Sequence, residues 1–138
     1  MKKIISLLLV LAIVSGLCAC GSNSKMSKDE MLKQTEEVNL REMLVEMDSN
    51  INRAKTNYDN KVVSVADVKI ANVSSNYVTT RIGYDISGID VSMLVIDMYL
   101  SDEDMTKVNK YDEVSVVGVL KIMTDRSVEL HNAYLIED

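Results

Sequence analysis

Side chains with the chemistry for catalysis are few in this chain of 138 residues. His131 is the only histidine, so a Ser-His-Asp arrangement would have to be built around it. No serine lies in a sequence that resembles a nucleophile elbow. An enzyme would gather His131 with a carboxylate in a pocket, whereas the sequence around it favours an outward position on a strand. We therefore expect no catalytic residues and a protein that is not an enzyme.

Sites for metals, phosphates or other cofactors are not predicted either. The run 102–104 is acidic, but it lacks the alternating ligand spacing and central glycine of a calcium loop, and a helix start explains it better. The segment 85–90 carries two acids and is most simply a connection between strands. The methionines have the spacing of core residues, which argues against copper binding. The scattered glycines form no phosphate-binding loop: Gly83, Gly88 and Gly118.

Cys20 is the residue whose chemistry the sequence specifies best. Lys2 and Lys3 precede an apolar stretch at 4–14 that is shorter than a membrane span, and the run Leu-Cys-Ala-Cys-Gly at 17–21 follows it. This beginning resembles the signal sequence of bacterial lipoproteins. The resemblance implies cleavage before Cys20 and attachment of fatty-acyl chains such as palmitate; an uncleaved helical anchor is the alternative.

A lipidated Cys20 would hold the protein on the extracytoplasmic face of the cell membrane, because two acyl chains give stable attachment. The membrane would then be its first partner. The predicted organisation is a lipoprotein signal peptide at 1–19, the lipidated cysteine with a flexible tether at 20–26, and one domain at 27–138.

Composition limits what this domain can be. The formal net charge is −6, and it becomes −8 once Lys2 and Lys3 leave with the signal peptide. Cys18 and Cys20 are the only cysteines, so the mature domain would hold neither a disulfide nor a free thiol. A domain of this length can bury enough surface to fold without a disulfide. The chain has no Phe, Trp or Pro, so aliphatic residues, Met and Tyr must form the core.

The chain changes from helix-favouring to strand-favouring residues near 61. Ser27 is a candidate N-cap, and the pattern after it predicts one long helix, or two with a break near Asn39, ending around Tyr58. The predicted buried stripe of this helix comprises Met43, Leu44, Met47 and Ile51.

Five runs of alternating apolar residues then predict strands at 61–73, 77–86, 91–100, 113–123 and 127–136. Ser101 would cap a short helix between the third and fourth strands, with Met105 and Val108 on its buried side. This order, mainly β with some α, matches a five-stranded Greek-key OB-fold barrel preceded by a long N-terminal helix. Gly118 would permit a bend in the fourth strand. An open antiparallel sheet packed on the long helix is the alternative.

Several residues spread over Leu40 to Ile136 are similar to the tRNA-anticodon-like OB-fold domains of bacterial lipoproteins and secreted proteins. They are Asn50, Ala54, Tyr58, Asn60, Lys61, Val62 and Val63, with the runs 110–118 and 130–135. The family has glycine where this chain has Asn60 and Tyr111, a first-strand glycine near Asp67, and often cysteine at the position of Ala133. The family's name implies nucleic-acid binding.

The predicted ligand-binding residues are Tyr77, Arg81 and Tyr99, because OB folds bind on strands two and three. The loops at 74–76 and 85–90 would border this face, although tyrosines on half-buried strands commonly serve only to pack. A net negative charge repels phosphates, so we expect an envelope protein or glycan as partner rather than nucleic acid. Two alternatives stay open: an oligonucleotide-binding domain, and a structural lipoprotein that pairs through its N-terminal helix. The sequence does not specify the oligomeric state.

Overall fold

The structure, a computed structural model, describes residues 25–85 and 91–137. Cys20, the signal peptide and most of the predicted tether lie outside these ranges, as does most of the loop at 85–90. The described elements, in chain order, are α1 (Lys28–Gln34), α2 (Leu40–Ser49), α3 (Ile51–Tyr58), β1 (Val62–Val73), β2 (Val78–Asp85), β3 (Val91–Leu100), α4 (Asp102–Met105), β4 (Glu113–Thr124) and β5 (Ser127–Ile136).

Three helices occupy the region where one long helix was predicted. Asn39 caps α2 by accepting hydrogen bonds from the N–H groups of Arg41 and Glu42, both at 3.1 Å, so the predicted break near Asn39 is confirmed. Asn50 adopts φ −160° and ψ 89°, ends α2 and caps α3 by accepting from the Arg53 N–H at 3.0 Å. The prediction of a single long helix was wrong because these asparagine amides compete for the backbone groups that would continue it.

The five predicted strands are confirmed to within one residue at each end, and they form one closed sheet in the order β1-β2-β3-β5-β4. All neighbours are antiparallel except β3 and β5, which are parallel. Closure depends on β1, which pairs with β4 over residues 62–69 and with β2 over residues 70–73. The pairing of β1 with β4 excludes the open sheet that was the alternative.

The interior of the sheet holds aliphatic and methionine side chains. The predicted inward row of β3 is confirmed, since its alternate residues are buried: Leu94, Ile96, Met98 and Leu100. Met43, Leu44 and Met47 of α2 belong to the same core, while Ile51 is only half-buried against it. Arg126, in the turn between β4 and β5, lies 3.3 Å from Asp48 of α2. The helix α2 therefore covers the end of the sheet at which β4 ends and β5 begins.

The short helix α4 forms where it was predicted, and Val108 and Met105 pack into the core. Ser101 caps it by accepting from the N–H of Asp104 at 3.2 Å. The Asp104 side chain has a role that the sequence did not reveal: it is buried, and its carboxylate accepts from the N–H of Leu135 in β5 at 2.9 Å. A buried N–H group is thereby satisfied, and α4 is bonded to the sheet.

At or near three positions where the tRNA-anticodon-like family has glycine, this chain has another residue. The backbone at each of them has a conformation that favours glycine. Asn60, Asp67 and Tyr111 have φ values of 65°, 52° and 77°. Asparagine and aspartate tolerate this left-handed region, whereas tyrosine does so at a cost. The Tyr111 side chain is 64% exposed, with the ammonium groups of Lys110 and Lys69 at 4.9 and 5.6 Å from its ring centroid.

The backbone at Tyr111 leads to a stability prediction. Tyr111→Ala and Tyr111→Gly both remove the ring, so the difference between their stabilities isolates the effect of the backbone conformation. We expect the glycine variant to be more stable than the alanine variant by about 1 kcal/mol, because only glycine adopts positive φ without strain. Urea unfolding measures the difference. Lys121 is exposed and lies on a strand, so there the alanine variant should be more stable than the glycine variant. An alanine variant that is also the more stable of the two at position 111 would contradict the prediction.

An N-terminal belt, residues 25–41, runs around the outside of the sheet. Its first part lies on β5 and β4: the backbone oxygen of Met26 accepts from the Tyr134 hydroxyl at 3.1 Å. Met31 of α1 is fully buried in an outer apolar cluster with Val62 and Val117, on β1 and β4. The belt thus begins on β5 and passes over β4 toward β1.

The second part of the belt contacts β1 and then the end of β2. The Glu36 N–H donates to the Val62 oxygen at 2.8 Å, and Glu36 forms a parallel bridge with Val63. The Arg41 guanidinium then donates to the Asp85 oxygen at the end of β2, from Nε at 3.1 Å and Nη2 at 2.8 Å. Following the sheet order, the belt takes the path β5, β4, β1, β2, on the side of the sheet away from the centre of β3.

Candidate functional site

Three aromatic rings form a row across the outer face of the sheet, the aromatic ladder: Tyr77, Tyr99 and His131. Tyr77 directly precedes β2, Tyr99 lies on β3 and His131 lies on β5. The Tyr77 and Tyr99 ring centroids are 5.3 Å apart with planes tilted by 39°, and those of Tyr99 and His131 are 5.0 Å apart and nearly parallel at 12°. Because β3 lies between β2 and β5, Tyr99 has a ring on each side.

This arrangement limits what can stack on Tyr99. Alternation along β3 turns Tyr99 outward, since Met98 and Leu100 on either side of it are buried. A ligand ring could reach a face of Tyr99 only if Tyr77 or His131 moved aside. The outer faces of Tyr77 and His131, at the two ends of the ladder, are the available stacking surfaces.

Two carboxylates accompany the ladder. Glu129 bonds to His131, with 2.6 Å between Oε2 and Nε2, and its Oε1 accepts from the Tyr99 hydroxyl at 3.4 Å. Asp97 accepts from the Thr79 hydroxyl at 2.6 Å and is the register partner of Glu129 on the neighbouring strand. Burial, followed by the negative charges of Glu129 and Asp97, raises the pKa of Tyr99. Tyr99 therefore stays a neutral hydrogen-bond donor on an acidic face.

The structure brings together only two of the three predicted binding residues. Tyr77 and Tyr99 are in contact, whereas Arg81 lies four residues beyond Tyr77, about 13 Å away along an extended strand. Arg81 is exposed and borders a cleft of about 470 Å³ between the diverging parts of β1 and β2, with Asp67 and Lys69. The loop at 74–76 adjoins Tyr77, whose backbone oxygen accepts from the Ser74 N–H at 2.9 Å. Most of the other predicted loop, 85–90, lies outside the described residues.

His131 lies on the outer face, as predicted, but its pairing with Glu129 is also the feature expected of an enzyme. A cavity of about 160 Å³ beside it is lined in part by three residues that carry hydroxyl groups, Tyr99, Ser101 and Tyr134. Ser101 uses its hydroxyl to cap α4, and Tyr134 donates to the backbone of Met26. His131 itself is engaged by Glu129 and by the Tyr99 ring. The Ser101 and Tyr134 hydroxyls beside the cavity are thus used in hydrogen bonds that hold the fold, and His131 is in contact with Glu129 and Tyr99.

Within residues 25–85 and 91–137, no three His, Cys, Asp or Glu side chains come together as a metal-binding group. Among the same residues, no helix is long and apolar enough to cross a bilayer.

Comparison with known proteins gives a likeness of fold. No family profile and no curated protein matches the chain. A crystal structure from Klebsiella pneumoniae subsp. pneumoniae MGH 78578, of a protein proposed to be a nucleic acid-binding lipoprotein, is similar with a TM-score of 0.52 and 15% sequence identity. The match covers 81% of this chain and all of that one. The resemblance to the tRNA-anticodon-like family stays a prediction.

Sequence reasoning missed the part of the site that lies on β5. Tyr99 and His131 meet because β3 and β5 are parallel neighbours, although 32 positions separate them in the sequence. A signal was present in the alternation around position 131, which predicted an outward side chain, and in the strand order of an OB fold. Combining the two would have placed His131 beside β3.

Proposed function

We propose that the protein is a lipid-anchored, extracytoplasmic binding module of the OB-fold type that binds an envelope protein or glycan without catalysis. The observation that carries the proposal is the aromatic ladder with its carboxylates on the outer face of a closed five-stranded sheet. Partly exposed rings held in a fixed row, next to hydrogen-bond acceptors, are well suited to recognition.

The OB-fold assignment is supported by the arrangement of the elements. The sheet closes through β1 with β4 and through parallel β3 with β5, and a short helix stands between β3 and β4. These features belong to a five-stranded Greek-key barrel. The lipid anchor is supported by the lipoprotein-like sequence before Cys20, and the similar crystal structure is also of a protein described as a lipoprotein.

The acidic character of the face favours a ligand that donates hydrogen bonds. Asp97 and Glu129 accept hydrogen bonds and would repel phosphate groups, and the net charge adds to that repulsion. Sugar hydroxyls and the amides or cations of a protein partner are donors, and the ladder offers them apolar ring surface. Tyr111 is exposed and lies beside the ammonium groups of Lys69 and Lys110, so it provides a matched control for the role of the ladder rings.

Titration of full-length protein with solubilised envelope glycan tests the proposal. We expect Tyr77→Ala and His131→Ala each to weaken binding by about tenfold, which corresponds to 1.4 kcal/mol. Tyr111→Ala should bind as the wild type does, and unfolding curves of all variants establish that the fold is kept. Equal binding by the ladder variants and the control would contradict the proposal.

Oligonucleotide binding is the second candidate, favoured by the description of the similar structure and by the stacked rings. It predicts binding to single-stranded DNA that weakens steeply with salt. The same variants tested at two salt concentrations separate this candidate from glycan binding. The third candidate, pairing through the N-terminal helix, is disfavoured because the predicted apolar stripe on α2 is used internally, with Met43, Leu44 and Met47 buried in the core.

A further inference from the structure

The cleft between β1 and β2 exists because β1 leaves β2 partway along its length. β1 pairs with β2 only at residues 70–73, and its residues 62–69 pair with β4 instead. The register with β4 shifts around Asp67, which adopts φ 52°. Such a bulge bends the strand that carries it, so β1 turns away from β2 here. Residues 81–84 of β2 therefore have β3 on one side and the cleft on the other.

The directions of the backbone groups in β2 follow from its pairing. Ile70 of β1 is the register partner of Thr80. The N–H and C=O of Ile70 are used on the other side of β1, in bonds to Asp112 and Tyr111. The two residues thus form a non-hydrogen-bonded pair, and Thr80 directs its own N–H and C=O to β3. Because β2 pairs with β3 without a register shift, alternation directs the N–H and C=O of Gly83 into the cleft.

Gly83 consequently lies on an open strand edge. Within residues 25–85 and 91–137, its N–H and C=O have no hydrogen-bond partner on the side of the cleft. The edge ends at Asp85, whose oxygen accepts from the belt residue Arg41. Ile82 and Tyr84, on either side of Gly83, pack against the core but stay half-buried. An unpaired edge with incompletely covered apolar side chains is suited to the addition of an extended peptide as a further strand.

The belt already binds in this way beside the cleft. Glu36 forms a parallel bridge with Val63 of β1 and is held by a backbone hydrogen bond. Val38 and Leu40 then line the cleft with apolar side chains. A cleft of about 470 Å³ stays open between this part of the belt and the point where β1 and β2 meet.

From this open edge and the charges around it, we propose that the cleft binds an extended peptide segment of a partner protein. The main chain of the peptide pairs with β2 at Gly83, and a carboxylate of the peptide binds Arg81. This inference goes beyond the proposed function, because it concerns a second surface and depends neither on the aromatic ladder nor on the lipid anchor. It assigns a ligand to Arg81, the predicted binding residue that lies apart from the ladder.

The charges around the cleft favour an acidic peptide. Two cations, Lys69 and Arg81, and one carboxylate, Asp67, line it, although the protein as a whole is acidic. Arg81 is exposed and forms no ion pair with another described residue. A guanidinium binds a carboxylate through two parallel hydrogen bonds. Alternation along the peptide turns apolar side chains toward Ile82 and Tyr84 and an acidic one outward, toward Arg81.

A synthetic peptide tests the inference. The probe is the acetylated and amidated peptide Thr-Val-Glu-Val-Thr, titrated into isotope-labelled full-length protein in detergent micelles and followed by NMR. In the free protein, the Gly83 amide should exchange with solvent at least about tenfold faster than the Ile82 amide, which faces β3. The peptide should shift the Gly83 resonance and slow its exchange.

Two variants of one residue separate backbone pairing from side-chain contact. Gly83→Pro removes the N–H that faces the cleft and no bond to β3, so the fold should be kept. Gly83→Ala keeps this N–H and serves as the matched control. We expect the proline variant to bind the peptide at least about tenfold more weakly than the alanine variant.

The carboxylate is tested by a second pair of changes. Arg81→Gln should weaken binding of the peptide about threefold to tenfold. A peptide with Gln in place of Glu should bind the wild type and Arg81→Gln equally. Equal binding of the Glu peptide by both proteins would overturn the role of Arg81.

Three results would overturn the pairing at Gly83. Slow exchange of its amide in the free protein would mean that the chain itself covers the edge. The absence of a shift on addition of the peptide, or equal affinities of the proline and alanine variants, would exclude strand addition. A peptide with methylated backbone nitrogens should not bind the wild type, and this control holds even if Gly83→Pro does not fold. Tyr77→Ala should bind the peptide as the wild type does, so failure of the ladder proposal is a separate outcome.

Discussion

Gly118→Val is expected to destabilise the protein by about 3 kcal/mol or more, near the upper end of the cost of overpacking a core. Gly118 is buried in β4, where the strand pairing with β5 shifts register between Val117 and Val119. A Cβ added to it would lie 3.1 Å from the Cβ atoms of both Ala133 and Leu130. These atoms are attached directly to the backbone of β5, so they can yield only if the strand moves.

A graded series tests the prediction by urea unfolding. Gly118→Ala should cost less than the valine variant, about 1–3 kcal/mol. Adding Ala133→Gly to Gly118→Ala removes one of the two close contacts and should recover part of the loss, so that the two changes are not additive. A valine variant as stable as the wild type would mean that β4 and β5 do not approach this closely at residue 118.

Leu44→Ala is expected to destabilise the whole domain by about 2–5 kcal/mol. Leu44 is fully buried, and it shares a core cluster with Val63 and Leu120 of the sheet. Removing its side chain leaves a cavity between α2 and the sheet, with the loss of both transfer energy and packing. The helix and the sheet should therefore unfold together in a single transition at lower urea concentration.

Val45 supplies the matched control on the same helix. Its side chain is 40% exposed, so Val45→Ala should change stability by no more than about 0.5 kcal/mol. Circular dichroism follows the helices, and tyrosine fluorescence follows the packing around the tyrosines, none of which lies on α2. If Leu44→Ala melts the helical signal early but leaves the tyrosine signal unchanged, α2 is an appendage and not part of the core.

The strands could be predicted from the sequence because alternation has a direct physical cause. One face of each strand is buried, so the pattern at Leu94, Ile96 and Met98 states which way the side chains point. The helices were harder to delimit. Asn50 sits between two helix-favouring runs, and only its backbone conformation shows that one run ends there and another begins.

Only the part of the candidate site next to β2 and on β3 was predicted from the sequence. Tyr77 directly precedes β2 and Tyr99 lies on β3, the next strand in the chain, so their meeting followed from a hairpin. His131 and Glu129 join them through the pairing of β3 with β5, whose register depends on closure of the whole sheet. The position of Arg81 relative to the rings could not be predicted from its residue type, because the two are separated by distance along β2. The belt was not predicted, because an isolated β-bridge at Glu36 produces no periodic pattern in the sequence.

The belt has a mechanical consequence. Tension applied to the residues before Lys25 enters the domain at its first contact on β5 and loads the attachments one after another. The hydrogen bond at Met26, the burial of Met31 and the bond from Glu36 to Val62 lie in series along this path, ahead of the strands. A pull on these residues would therefore detach the belt from the sheet one contact at a time, at low force, before the closed sheet itself bears the load.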